Sequence, residues 1–260
     1  MGRWRPSPKS CLYVVPDVHG MHRQLKVIFN RILPLRNQAG CDDRLVMLGD
    51  YIDRGQDSHF VIDLLMKIKE RYGDQVVLLM GNHEQMLLRA LDNVDNSSDY
   101  MMWMKNGGEQ TLAGYIKRKG ENISNPYQVR NTRLRDYIPV EHAAFLHMLE
   151  PYYETDDYIF VHAGCDPLLS MERQEPELLF WSRQLFQSVL RLRDEELSWD
   201  KTIVTGHCGQ SLAKPYIRQK YMMLDCSWKR QLLVLELNSM SAMMAKEGNG
   251  RLVRYDLEAA

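Results

Sequence analysis

Five short apolar runs in this sequence each end at residues that bind cations. Leu12–Val15 leads through Pro16 to Asp17-Val18-His19, and Leu45–Leu48 leads to Gly49-Asp50. Val76–Met80 leads to Gly81-Asn82-His83, Tyr158–Val161 to His162, and Thr202–Thr205 to Gly206-His207. Ligands gather at the carboxyl ends of strands in α/β sheets, so the pattern predicts one shared site. Asp17 and His19 are two apart, and on extended backbone both side chains share a face. That suits one cation held by a carboxylate and an imidazole. Asn82 and His83 are adjacent; a strand-to-helix turn lets Asn82 face the cations while His83 faces a substrate.

Oxygen and nitrogen donors without thiolate suit Mn²⁺ first, with Fe or Zn²⁺ as alternatives, better than Ca²⁺ or Mg²⁺. Two such cations need a bridging anion, and Asp50 could serve with one carboxylate oxygen. A pair about 3.5–4 Å apart can activate a water and orient a phosphoryl oxygen. That chemistry also needs cationic side chains for the phosphate and an acid for the leaving group. Arg54, four residues after Asp50, carries a planar fork suited to bidentate phosphate binding, and Arg183 in Trp181-Ser182-Arg183 is a second candidate clamp. Asn82 is a further candidate substrate contact. His83 could donate the proton, with Asp53 orienting its ring. Glu84 reads as a charge matching the dipole of a helix N-terminus.

The elements that must position these residues follow from periodicity. Strands are expected at 12–15, 44–48, 76–80, 158–161, 202–205, 222–224 and 232–237, and helices at 22–33, 59–72, 83–92 and 141–150. Strand and helix alternate three times in the first half, which suggests βαβ units and a partly parallel sheet. Residues 94–138 break that rhythm with polar, turn-rich sequence and read as an insertion or cap over the site. Residues 1–10 read as a loose arm, and 11–260 as a single domain. The Met-rich piece 240–244 fits neither period.

Among the 260 residues, 33 Lys and Arg face 34 Asp and Glu, for a net charge of −1. The basic footprint of a dedicated nucleic-acid binder is missing. The five cysteines form no C-x-x-C pair, which argues against a disulfide framework or a thiolate zinc site. Neither a signal peptide nor a membrane span is legible, so a reducing cytoplasm is expected.

Taken in order, Pro16-Asp17-Val18-His19-Gly20, Gly49-Asp50-Tyr51-Ile52-Asp53-Arg54-Gly55, Gly81-Asn82-His83-Glu84, His162-Ala163-Gly164 and Gly206-His207 resemble the motif set of the PPP-type metallophosphatases. The likeness is greatest to the bacterial and phage-lambda-like serine/threonine protein phosphatases, and Asn106–Leu112 is similar to that branch as well. The resemblance implies a calcineurin-like four-layer α/β/β/α sandwich with a dinuclear metal centre at strand ends. It implies Asp17, His19 and Asp50 on the first cation, and Asp50, Asn82, His162 and His207 on the second. It also implies His83 as acid with Asp53 behind it, and Arg54 and Arg183 on the phosphate. The substrate would be a phosphorylated protein or a small phosphate ester, with no nucleic acid or membrane involved. A dinucleoside tetraphosphate hydrolase is the alternative; relatives of that branch often lack an aspartate at the position of Asp53 and carry Asp at that of Glu84. A non-catalytic phospho-binding module is the third reading. Pro16 stands where the family usually has Gly, Cys226-Ser227 where relatives often carry Thr-Gly, and the tail after Leu237 matches no family pattern.

Overall fold

Proline and glycine punctuate short runs of β-branched and aliphatic residues, and the strands form between them. The computed structural model describes residues 7, 9–209, 214–247 and 251–257. Its strands are β1 (Leu12–Val15), β2 (Asn37–Gln38), β3 (Cys41–Asp42), β4 (Arg44–Met47), β5 (Val76–Leu78), β6 (Tyr152–Glu154), β7 (Tyr158–Val161), β8 (Thr202–Thr205), β9 (Tyr216–Arg218), β10 (Tyr221–Met223), β11 (Gln231–Glu236), β12 (Ser241–Lys246) and β13 (Leu252–Tyr255). The helices are α1 (His22–Ile32), α2 (Ser58–Tyr72), α3 (Asn82–Asp92), α4 (Ser97–Trp103), α5 (Glu109–Arg118), α6 (Val140–His147), α7 (Pro176–Trp181) and α8 (Gln184–Val189).

Two mixed sheets result. One has the order β13-β12-β11-β1-β4-β5, the other β6-β7-β8-β10-β9. β1, β4 and β5 run parallel, as the βαβ rhythm requires, and β11 joins β1 antiparallel. Successive side chains on a strand point to opposite faces, and this alternation builds the layers. Leu45, Met47, Val76 and Leu78 pack with Leu25 and Ile28 of α1 and Leu65 of α2. Their neighbours Val46, Leu48, Val77 and Leu79 turn the other way and meet Phe160, Val204 and Met222 of the second sheet. On that sheet's far face, Val161, Ile203 and Tyr221 pack with Leu179, Phe180 and Phe186 from α7 and α8. Helices, sheet, sheet, helices is the four-layer order implied by the motifs.

The structure departs from the periodicity in three places. Residues 241–244 of the Met-rich piece lie in β12, paired with β11 from Gln231↔Lys246 to Glu236↔Ser241, and Met240 lies in the turn before it. Ala is depleted in strands, so pairing with β11 and β13 and the burial of Ala242, Met244 and Ala245 decide it. The tail after Leu237 therefore extends the first sheet by two strands. Residues 7, 9 and 10 are not loose: Ser7 Oγ donates to Gly40 O at 2.6 Å, and Arg36 Nη2 donates to Lys9 O at 2.9 Å. The expected arm otherwise concerns residues 1–6 and 8, which lie outside the described residues. Finally, residues 94–138 fill much of the helical layer, with Tyr100, Trp103, Leu112, Tyr115 and Leu134 in its core. No described helix is long and apolar enough to cross a membrane.

Candidate metal centre

The loops after β1, β4, β5, β7 and β8 converge, and backbone hydrogen bonds lock the first two together. Val18 N and His19 N both donate to Asp50 O, at 2.9 and 2.8 Å, and Gly20 N donates to Tyr51 O at 2.9 Å. These three bonds use the N–H groups of Val18, His19 and Gly20, not that of residue 16. His19, Asp50, Asp53, Arg54 and His207 all adopt left-handed backbone, with φ between 43° and 71°. Such residues cost about 1–3 kcal/mol each and persist where surrounding structure over-determines them. His19 thus meets Asp17 through a turn, with Nε2 4.0 Å from Asp17 Oδ2, rather than through the two-residue strand period expected from spacing. Gly81 is held against Asp50: a Cβ there would collide with Asp50 Oδ1.

The donor atoms form two groups that meet at Asp50. His19, Asp50 and His83 have donor atoms within 4.8 Å of one another, and so do Asp50, His162 and His207. Asp50 Oδ2 lies 3.5 Å from His19 Nε2, whereas Oδ1 lies 3.4 Å from His162 Nε2. The carboxylate thus presents an oxygen toward each group. Asn82 Oδ1 is 3.1 Å from both His162 Nε2 and His207 Nδ1, which places it in the second group. Asp17 accepts from His207 N on both oxygens, at 3.0 and 3.1 Å.

The chemistry of these donors fits a pair of cations. His19 Nδ1 donates to Ile52 O and His162 Nδ1 to Leu48 O, each at 2.8 Å. A carbonyl only accepts, so the proton sits on Nδ1 and the Nε2 lone pair faces the cluster. This is the arrangement of imidazoles that ligate metals. Burial pushes His162 down to about 4 and His207 down to about 2, and His19 and His83 also fall well below the usual range. Burial raises the Asp17 carboxyl well above its ordinary value, with the charges of Asp225 and Asp50 adding. Asp50 is raised likewise, by burial and then by Glu84, against the opposing pull of Arg54. Neutral imidazoles and crowded, under-compensated carboxylates form a donor set that divalent cations stabilise.

Asp53 and His83 adjoin this cluster. His83 Nδ1 lies 2.8 Å from Asp53 Oδ2, and both side chains are buried. Burial pushes Asp53 up to about 8, against the hydrogen bonds from Thr111 and Trp103 and the charge of Arg54. Burial and the charge of Arg54 push His83 the other way, down. The Arg54 guanidinium spans the two imidazoles of the first group, with Nη1 2.9 Å from His19 Nε2 and Nη2 3.0 Å from His83 Nε2. Arg183 is exposed, just after α7, and its charge bears on His207 and Cys208.

Two acidic residues matter more than the sequence suggested. Glu84 does cap α3, accepting from Gly81 N at 3.0 Å. Its fully buried carboxylate also accepts from Asp50 N, Tyr51 N and Ile52 N, at 2.8, 2.7 and 3.2 Å, and so shapes the loop that presents Asp50. Glu84→Gln would turn one acceptor into a donor aimed at these N–H groups, and each stranded buried group costs about 1–3 kcal/mol. Thermal melting should show a clear loss of stability and metal analysis a weaker retention of cations; wild-type values for both would remove Glu84 from this role. Asp225, at the end of β10, is the second. It sits behind Asp17 and accepts from Gly209 N at 2.8 Å and Ser227 N at 2.7 Å. Ser227 contributes a backbone N–H, so its departure from the family residue leaves that contact intact. Two signals pointed to Asp225: its place just after a strand, and its match to the Asp of the Asp-Thr-Gly that relatives often carry there.

The model of the calcineurin-like phosphoesterases matches residues 12–226. The chain belongs to that family. Its relatives include PPP-type serine/threonine phosphatases. Shewanella-like protein phosphatase 1 of Plasmodium berghei is 28% identical over 142 residues, covering 52% of this chain and 38% of that protein. The symmetrical bis(5'-nucleosyl)-tetraphosphatase of Nitrosomonas europaea is 27% identical over 165 residues, covering 63% of this chain and 48% of that protein. This calcineurin-like chain thus spans less than half the length of either relative. Among solved structures, the cold-active protein-tyrosine phosphatase of a psychrophilic Shewanella species superposes with a TM-score of 0.59 at 18% identity, over 97% of this chain and 83% of that one, a likeness of fold. Calcineurin-like phosphoesterases use paired divalent metals, and the two donor groups sharing Asp50 suit such a pair.

Proposed function

We propose that this calcineurin-like phosphoesterase is a phosphomonoesterase of the protein serine/threonine phosphatase type, built as one catalytic unit over residues 11–260. In this reading Asp17, His19 and Asp50 hold one cation, and Asp50, Asn82, His162 and His207 the other. Two divalent cations bound there supply Lewis acidity and a nucleophilic water at neutral pH, with Mn²⁺ the first to test and Fe and Zn²⁺ next. Arg54 and Arg183, with Asn82, hold the phosphate. His83 Nε2 gives its proton to the departing oxygen while Asp53 Oδ2 fixes the ring.

The observation that supports a monoester substrate is the buried Asp53–His83 pair at 2.8 Å beside the donor cluster. A seryl or threonyl alkoxide is a poor leaving group and needs a proton as the P–O bond breaks. A polyphosphate leaves readily without one, so a dedicated acid pair has little to do in a dinucleoside tetraphosphate hydrolase. The Nitrosomonas relative, which matches more of this chain than the Plasmodium one, keeps that second reading in view. Activity should be measured with Mn²⁺, Fe²⁺ and Zn²⁺ against a phosphoserine peptide, an aryl phosphate, a phosphodiester and diadenosine tetraphosphate. Faster turnover of the phosphopeptide is expected. A kcat/KM higher for diadenosine tetraphosphate would favour the second reading, and no turnover of any ester would favour a non-catalytic phospho-binding module.

A further inference from the structure

Residues 94–138 were set apart in the sequence as a possible cap, yet two of their side chains reach beneath the site. Asp53 Oδ1 accepts from Trp103 Nε1 at 3.0 Å and from Thr111 Oγ1 at 2.8 Å, which leaves Oδ2 to His83 Nδ1. The Thr111 hydroxyl also accepts from Asp53 N at 2.8 Å, closing a ring on a residue whose φ is 71°. Ser58 Oγ supports the same N–H at 3.2 Å and lies 3.0 Å from Thr111 Oγ1. Asp53, Trp103 and Thr111 are fully buried. The next residue is held from the same segment. Arg54 N donates to Gly107 O at 3.1 Å, and a Cβ at Gly107, whose φ is 106°, would come within 2.8 Å of Arg54 N.

A carboxylate turns freely about its last torsion unless both oxygens are engaged. An indole N–H only donates, so Trp103 can satisfy nothing here but an acceptor, and it meets Oδ1. The threonine hydroxyl accepts and donates at once, tying the backbone of Asp53 to its own carboxylate.

We propose that Trp103 and Thr111 are positioning residues for the acid pair: they hold the Asp53 carboxylate so that Oδ2 faces His83 Nδ1, and thereby aim His83 Nε2 at the leaving oxygen. This rests on the assignment of Asp53 and His83 as that pair. It makes the 94–138 segment a part of the catalytic apparatus, through contacts 50 and 58 residues away in sequence.

The test uses the full chain loaded with Mn²⁺, with phenyl phosphate as the poor and 2,4-dinitrophenyl phosphate as the good leaving group. Trp103→Phe keeps the ring and removes the donor; Thr111→Val keeps the shape and removes the hydroxyl; Thr111→Ser restores it. For phenyl phosphate, kcat should fall about 10–100-fold in the first two variants, the scale of losing an outer partner of a site residue, with KM little changed and Thr111→Ser near wild type. For 2,4-dinitrophenyl phosphate the loss should largely vanish. In a His83→Ala background, neither substitution should cause a further fall, because groups acting through one residue are non-additive. Equal losses on both esters, or the same loss with His83 absent, would assign Trp103 and Thr111 to the core alone. Wild-type rates in both variants, with His83→Ala impaired, would refute the proposal while leaving the acid assignment standing. An unimpaired His83→Ala, or a wild-type chain without turnover, would remove the proposed function and this inference with it. Melting curves identify a variant that fails to fold, and the remaining one then decides.

Discussion

Asp50→Asn should leave the protein folded and remove its metal-dependent hydrolysis of phosphate esters. Asparagine keeps the shape of the side chain and the Oδ1 acceptor that His83 N uses at 3.1 Å. It removes the negative charge that faces His19 on one oxygen and His162 on the other. Both donor groups then lose their common anion, so bound metal should fall from two ions per chain to one or none. Turnover should drop by more than about 10³-fold, since losing even an outer partner of a metal ligand costs 10–100-fold. Stability points the other way. Burial and the charge of Glu84 disfavour the Asp50 carboxylate in the folded chain, so the metal-free variant should melt at or above the metal-free wild type. Elemental analysis and calorimetry measure both quantities. Two ions per chain and wild-type turnover in Asp50→Asn would end the bridging assignment.

The second large effect is expected at His83. Its donor atoms lie near Asp50 Oδ2, at 3.8 Å, as well as near Asp53. Geometry alone therefore admits two roles, acid or ligand, and His83→Ala separates them. As an acid, its loss should cost about 10²–10⁴ in kcat for an ester with a poor leaving group. It should cost little for 2,4-dinitrophenyl phosphate and should not alter the number of bound metals. As a ligand, its loss would lower metal content and slow both esters alike. A flat leaving-group profile with reduced metal content would move His83 from the proton to the cation.

Residue type and order carried much of this protein. Strand-end Asp, Asn and His residues are local signals: a hydrophobic run sets a strand, a glycine or proline stops it, and the next side chain is delivered at the sheet edge. For that reason Asp17, His19, Asp50, Asn82, His162 and His207 could all be named from sequence; of these, His19, Asp50, His162 and His207, joined by His83, form the two donor groups that share Asp50. The four layers were implied by the motif resemblance, and the strands supply them by alternation: Val46 and Leu48 face away from Leu45 and Met47.

What the sequence could not determine depends on partners far apart along the chain. Glu84 looked like a helix-end charge because the N–H groups it holds lie more than thirty residues upstream, at Asp50, Tyr51 and Ile52. Thr111 lies in the Asn106–Leu112 stretch and Trp103 in no motif, and no periodicity links either of them to Asp53. The Met-rich strand β12 became a strand only by pairing with β11. Side-chain period is a property of one element and is written in adjacent residues. A hydrogen bond between elements depends on how the layers pack, and only the folded chain brings its two ends together.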